Sequence, residues 1–328
     1  MHALKPTMAA AFAALLTLPI HAEPKPVPPE KPEAVTIGIY VLRLSDLNPS
    51  TQSFSADFWV WTLSSASSKW CPIKTVGLDN AKQFWASEPK EELEGDKRWG
   101  YREFNATIGY DWDMHRFPFD QHTLEIVVGE TDHDTRSIKY EADQDDSGTS
   151  RDIRLTDWEL KLKPDLLTTA AHPYDSRFGD KTVAKPRTYW AEARLMIPIS
   201  RKDRGLSFFK LVFTAYVAFV IMLLSFLMGR AEFSSRISLL IGALFATVVS
   251  MRTSAAALGD TPRFTLVEHI HLLVVGYILF SALVALLTYY AAEEQKTTSR
   301  RINITAALTT TATFVVWNVY LLVKALRL

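Results

Sequence analysis

The sequence predicts two fold classes in succession along 328 residues: a β-sandwich, then a bundle of four membrane-crossing helices. Three observations carry this. Everything after Lys210 divides into four apolar runs, residues 211–229, 237–258, 272–292 and 304–326, each near the ~20 residues that a helix needs to cross a ~30 Å hydrocarbon core. Ahead of them, short segments rich in β-branched and aromatic residues recur between turn residues. The chain is 48% hydrophobic with 22% charged residues, and the apolar excess is concentrated after residue 206.

The elements follow in order. An apolar run over residues 8–20 follows Lys5 and ends at His21-Ala22, which reads as a secretory signal (1–22), with a short membrane anchor as the alternative. A Pro-rich linker follows over 23–34. Strands are predicted over 35–44, 54–63, 99–108, 123–128, 137–140, 153–162 and 188–199. Many short strands with turns between them argue for a sandwich over 35–204. The polar stretches 141–150 and 168–185 are predicted loops, where binding residues commonly lie. The membrane part, 205–328, carries helices at about 207–229, 235–258, 264–292 and 302–326. Short-loop basic residues are more numerous in the first-to-second and third-to-fourth connections than in the second-to-third, so those two face the cytoplasm. The sandwich and the C-terminus are then periplasmic or extracellular, in a multi-pass protein of a bacterial inner membrane.

Zero formal net charge gives no argument for nucleic acid. A single cysteine, Cys71, excludes an intrachain disulfide. Asp143, Asp145, Ser147 and Gly148 copy the opening of a calcium loop, but Arg154 stands where the closing glutamate belongs, so a solvated acidic loop is the simpler reading. His115, His122 and His133 lack zinc spacing. Glu268, His269 and His271 open the third span, as an interfacial polar cap or as groups that sense protons. No nucleophile–base motif or phosphate-cradling loop is present, and no cofactor is expected.

The second span carries the functional signal. Ser238, Gly242, Phe245, Val249, Arg252 and Ala256 recur at intervals of four and three and share one helix face. A charged side chain near hydrocarbon is costly unless it meets water or a partner, though Arg252, ~24 Å along the helix from Arg236, is close enough to the outer edge to snorkel. A single helix cannot enclose a water path, so a wet face requires several copies around an axis. The competing reading is a buried helix in a monomeric bundle.

Several ordered features resemble the pentameric ligand-gated ion channels, the Cys-loop receptor superfamily, in a prokaryotic form without the disulfide. Asp113-Met114-His115-Arg116-Phe117-Pro118-Phe119-Asp120 matches the family's Asp, three residues, aromatic, Pro-Phe-Asp pattern. Tyr110 and Leu124 stand where eukaryotic members place two cysteines. Trp61 and Trp158 resemble two strand tryptophans, Arg204 the arginine before the first span, Arg236-Ile237-Ser238-Leu239 the start of the pore helix, and Pro262 the proline after it. Tyr216 departs from a usual proline, residues 64–97 match poorly, and Ser235 replaces a glutamate common in cation-selective relatives.

The resemblance implies an immunoglobulin-like sandwich plus a four-helix transmembrane bundle, assembled as a homopentamer in membrane lipid that conducts inorganic ions. It implies a pore lined by Ser238, Gly242, Phe245, Val249 and Arg252, with Phe245 and Val249 as a hydrophobic gate. Glu232 at the inner mouth favours cations and Arg252 at the outer mouth favours anions. Ser235 is a third selectivity position, and the reading leans to cations. Phe117, Pro118 and Phe119 form an apolar plug near Pro262, with Asp120 paired to Arg204. The agonist, an amine or protons, sits between subunits behind a hairpin at about 168–187. Tyr174 and Phe178 close over it, Trp59 or Trp61 comes from the neighbour, and Glu130, Thr131 and Asp132 supply another loop. An aromatic cage beside carboxylates attracts an ammonium group by ~1–2 kcal/mol when desolvated. The alternative is a non-conducting, membrane-anchored periplasmic ligand sensor. A tethered hydrolase using Asp111 and Asp113 is a poorer third reading, because both fit turn and junction roles.

Overall fold

The computed structural model describes residues 32–161, 165–179, 187–256, 258, 263–290 and 296–327. The secretory signal, most of the linker and Pro262 lie outside them.

The first half is two packed sheets. The larger contains β1 (Glu33–Asn48), β2 (Ser53–Ser65), β4 (Ala81–Ala86), β5 (Lys90–Glu94), β6 (Lys97–Gly109), β8 (Ile138–Ala142) and β9 (Gly148–Thr149). Its main path runs β4-β6-β2-β1-β8. The smaller contains β3 (Val76–Leu78), β7 (Gln121–Asp134), β10 (Trp158–Leu160), β11 (Leu166–Tyr174) and β12 (Thr188–Arg201), with the path β10-β12-β7-β3. Alternation decides which side chains enter the core. On β2, Phe54, Ala56, Phe58 and Val60 are buried while Ser55, Asp57, Trp59 and Trp61 point the other way, as period two requires. They meet Leu124, Ile126 and Val128 of β7 and Leu195, Ile197 and Ile199 of β12 in one core.

Three expectations need correction. Residues 168–174, read as loop, belong to β11, which pairs with β12 from Leu166↔Met196 to Tyr174↔Thr188. The segment lacks clear alternation and contains Pro173, but among the described residues β11 pairs only with β12, and an edge strand tolerates proline. The strand expected over 153–162 shrinks to Trp158–Leu160. The poorly matching stretch after residue 64 holds a one-turn helix α1 (Pro72–Thr75), β3, β4 and β5.

The second half is α2 (Arg204–Ser225), α3 (Phe233–Ala256), α4 (Leu266–Tyr290) and α5 (Lys296–Arg327), four helices long and apolar enough to cross a membrane. α2, α3 and α4 pack on one another around Ala218, Met222, Leu240, Ala243, Val274 and Ile278. α5 lies outside them, held by Phe314 stacked on Phe219 at 3.8 Å and by the Tyr216 hydroxyl donating to Asn318 at 3.0 Å. Tyr216, which stands where the resemblance places a proline, therefore ties two helices together. Thr265 caps α4, its hydroxyl accepting from Glu268 N–H at 3.2 Å while Glu268 accepts from Thr265 N–H at 2.8 Å, a capping box. Glu268 is thus a structural cap, and His271 is fully buried with Nε2 3.1 Å from Ser250 Oγ on α3.

Candidate functional site: a two-domain junction and an exposed helix face

Three places hold the residues singled out from the sequence. In α3, the buried positions are Arg236, Leu240, Ala243, Thr247 and Ser254. They lie at intervals of three, four and seven, on the face turned to α2 and α4. Ser235, Ser238, Gly242, Phe245, Val249, Arg252 and Ala256 are all exposed, with Phe245 at 67% and Val249 at 62%. From Ser238 to Arg252 this face runs ~21 Å. Exposure extends to both flanks, through Leu239, Ala246 and Thr253 on one side and Ile241 and Val248 on the other. Glu232, in the short 3-10 turn before α3, accepts from Gly229 N–H at 3.2 Å. At the same end Arg236 is 2% exposed and donates Nη1 to Asn303 at 3.2 Å.

The second place is the domain junction, where the Asp120 pairing differs from expectation. Its partner is Arg201, not Arg204. Arg201 Nε stands 2.9 and 3.0 Å from the two carboxylate oxygens, and Asp120 is 1% exposed. His122 Nε2 lies 3.0 Å from Oδ2 on the other side. The Arg201 guanidinium also lies over the rings of Trp158 at 4.2 Å and Phe117 at 4.7 Å. Arg204 instead begins α2. The physical reason is register. Arg201 is the last residue of β12, opposite Trp158, one residue beyond the Ser200↔Gln121 pair. Asp203 then turns the chain through a left-handed conformation, φ 45°, into the helix, which Asp tolerates better than most residues.

The segment that carries the plug touches the membrane helices. Phe119 packs on Phe208 of α2 at 5.5 Å between ring centroids, and Leu266 N–H donates to His115 O at 3.1 Å. Phe117 and Pro118 are buried, and the bond between them is cis. Sequence reasoning missed Arg201, His122 and Trp112. Trp112 is 2% exposed and packs on His122 and Trp158 at 4.8 and 5.4 Å. The Arg-Lys-Asp-Arg run at 201–204 offered two arginines, and only pairing register separates them.

The third place is the hairpin between β11 and β12. Tyr174 and Phe178 are 5.5 Å apart, with His172 against Tyr174 at 4.7 Å and Trp190 against Phe178 at 5.9 Å. Phe178 is 62% exposed. Beneath these rings lies a charge cluster that the sequence did not announce. Glu192, 5% exposed, takes Arg194 at 2.9 Å and faces His172 at 3.2 Å, and Arg194 reaches Glu125 at 2.8 Å. Partial desolvation, then the nearby Glu192 carboxylate, pushes the Asp79 carboxyl up, although Asp79 is exposed at the surface, where solvent weakens the effect. Glu130 turns inward, 4% exposed, and accepts from the Tyr140 hydroxyl at 2.9 Å. Thr131 and Asp132 remain at the surface. Trp59 and Trp61 sit on the outward face of the larger sheet, away from the hairpin of their own chain. Trp59 packs on Tyr101 at 5.9 Å, and Tyr101 on Trp99 at 4.4 Å.

The Trp61 indole donates to Asp143 Oδ2 at 2.9 Å, and the Ser147 hydroxyl accepts from Ile39 N–H at 3.1 Å. Residues of the calcium-like loop thus serve as anchors to β1 and β2, and among the described residues no group of three metal-ligating side chains assembles.

The chain is 25% identical over 178 residues to a proton-gated ion channel of Gloeobacter violaceus, a match covering 48% of this chain and 49% of that one. The resemblance to the pentameric ligand-gated ion channels stands. The chain spans about half the length of the curated relative it matches. No family model matches. A β-sandwich followed by four helices long and apolar enough to cross a membrane makes this a multi-pass membrane protein.

Proposed function

We propose that this protein is a homopentameric, ligand-gated ion channel whose pore is lined by α3. The carrying observation is the division of α3 into a face packed on α2 and α4 and an opposite face of Ser238, Gly242, Phe245, Val249 and Arg252 that is exposed among the described residues. Five copies around an axis cover the flanks and leave that face to water. Phe245 and Val249 then form the hydrophobic constriction, which closes by dewetting. Glu232 at one mouth and Arg252 at the other set selectivity in opposite senses. The reading favours cations, with Ser235 contributing no charge.

Binding occurs between subunits. Trp59 and Trp61 lie on one sheet and Tyr174 and Phe178 beside the other, so the two groups meet only across a subunit boundary. The His172–Glu192–Asp79 cluster beneath the hairpin favours protons or an amine as the agonist, as does the proton-gated activity named for the Gloeobacter relative. Movement of the sandwich reaches the pore through Asp120, Arg201, Phe119 and Phe208.

Cation and chloride flux from proteoliposomes, under a pH series and a panel of amines, tests this. Gated flux supports the channel. Cysteines placed singly from Ser238 to Arg252 that all resist water-soluble thiol reagents in every condition would overturn it and leave the non-conducting sensor.

A further inference from the structure

A titratable side chain, His122, sits at the centre of the domain junction. It points inward from β7, 5% exposed, with ring Nε2 3.0 Å from Asp120 Oδ2. Three aromatic rings enclose the imidazole, Trp112 at 4.8 Å, Trp158 at 5.4 Å and Tyr110 at 5.9 Å between centroids. All three meet it edge to face, at interplanar angles of 66°, 69° and 84°. Among the described residues, the charged groups that face it are Asp120 on its own strand and Arg201 on β12, and the Tyr110 hydroxyl is the other titratable one. From β10 it meets the uncharged Trp158. Gln121, Ser200, Glu159 and Lys161 alternate to the opposite face, where Ser200 donates to Glu159 at 3.1 Å and Lys161 donates to Gln121.

A carboxylate at hydrogen-bond distance and three rings within 6 Å are surroundings that can hold an imidazolium. The neutral ring donates Nε2–H to Asp120 and keeps Nδ1 to take up a proton. We propose that His122 is a proton-binding site of the junction, separate from the hairpin cluster, and that its charge controls how tightly Arg201 holds Asp120. The two side chains compete for the same partners. Both reach Asp120 Oδ2 at 3.0 Å, and both lie against Trp158, the guanidinium at 4.2 Å and the imidazole at 5.4 Å. With His122 neutral, Arg201 Nε has both carboxylate oxygens and fixes the end of β12. A proton on His122 sets a second positive charge beside the guanidinium, in a site that water screens little, and draws Oδ2 to the imidazolium. The hold of Arg201 then weakens. β12 ends at Arg201 and α2 begins at Arg204, so acidification acts on the connection between sandwich and pore without any change at the hairpin. The gating half of this inference rests on the channel reading, and the binding half does not.

The test uses full-length protein. His122→Gln keeps an N–H that can donate to Asp120 but takes up no proton near neutrality. Melting temperatures of the wild type, Arg201→Gln, His122→Gln and the double variant are compared at about pH 8 and about pH 5, the range over which histidine changes charge. In Arg201→Gln the imidazolium replaces the missing cation, so the loss caused by that substitution is expected to be ~3 °C or more smaller in acid. Once His122 is glutamine, the loss is expected to be equal at the two pH values. Titrations at distant sites cancel in this comparison. Tryptophan emission of the wild type is expected to fall over the same range, because an imidazolium quenches an adjacent indole, and to fall less in His122→Gln. Trp112→Phe, which keeps His122, is expected to reduce the fall as well and serves where the glutamine variant does not fold. In proteoliposomes, His122→Gln is expected to change the proton sensitivity of gated flux roughly fivefold, the low end of ordinary couplings between sites. An Arg201→Gln loss that is the same at both pH values while His122 is present overturns the proton site, and so does wild-type emission indifferent to pH. A flux profile against pH that His122→Gln leaves unchanged overturns its control of gating. A wild-type protein that passes no ions in any condition refutes the channel reading, and the melts and the emission still decide the proton site.

Discussion

Replacing Arg201 by glutamine should damage the protein far more than the same change at Arg204. The Asp120 carboxylate is 1% exposed and takes both of its close arginine contacts, at 2.9 and 3.0 Å, from Arg201 Nε. Removing one partner of a buried pair costs about 3–5 kcal/mol, because the charge left behind is neither hydrated nor matched. Here His122 remains 3.0 Å from the carboxylate, which places the cost near the lower end, about 3 kcal/mol. The guanidinium also leaves the faces of Trp158 and Phe117, contacts worth about 2 kcal/mol when desolvated. At roughly 2–4 °C per kcal/mol for a domain of this size, the melting temperature should fall by about 10 °C or more. The assay is a tryptophan-fluorescence melt of the purified full-length protein, since Trp112 and Trp158 both border the pair. A double-mutant cycle with Asp120→Asn should give a coupling of at least ~1.5 kcal/mol between positions 120 and 201, and none between 120 and 204. Equal losses from Arg201→Gln and Arg204→Gln, or an additive cycle, would refute the pairing described here.

Other consequences can be checked alongside. Gly38→Ala places a Cβ 2.1 Å from Trp61 Cζ2, so it should cost ~1–3 kcal/mol by overpacking and detach the indole from Asp143, seen as a shifted tryptophan emission. Asp143→Asn should lower stability by about 1 kcal/mol while added calcium leaves the wild-type melt unchanged; a calcium-dependent rise would restore this loop as a metal site. Because Asp79 has its carboxyl pKa raised above 3.8, the folded state holds that proton more tightly than the unfolded chain. Its contribution to stability is therefore present below 3.8 and declines as pH rises through the raised value. Asp79→Asn should remove that decline, measured as a melt-versus-pH profile flatter than wild type. In proteoliposomes Phe245→Ala should leak ions without agonist, and zero flux in both proteins would favour the sensor. Arg252→Ala should move the reversal potential in a chloride gradient toward stronger cation preference, and no movement would remove Arg252 from the selectivity path.

The legible parts of this chain were those written in periodicity. Four apolar runs near the length of a bilayer have few alternatives, because backbone polar groups in hydrocarbon must bond internally. The alternation of β2, β7 and β12 fixed which residues face the core, and the four-and-three spacing from Ser238 to Ala256 defined one helix face before any packing was visible. The sequence was mute where the outcome depends on which strand lies beside which. β11 was missed because its own residues alternate weakly and it takes its order from β12. Asp120 was paired with Arg204 because the resemblance puts its partner immediately before the first span, and nothing in one dimension brings Arg201 forward instead. Only the pairing of β12 with β7 and β10 brings Arg201 to the carboxylate and sends Arg204 into α2. The same holds for His172, Asp79 and Glu192. Each is unremarkable on its own segment, and together they create a field because tertiary contacts bring distant charges within a few ångströms, the range over which Coulomb attraction and desolvation decide what a site can hold.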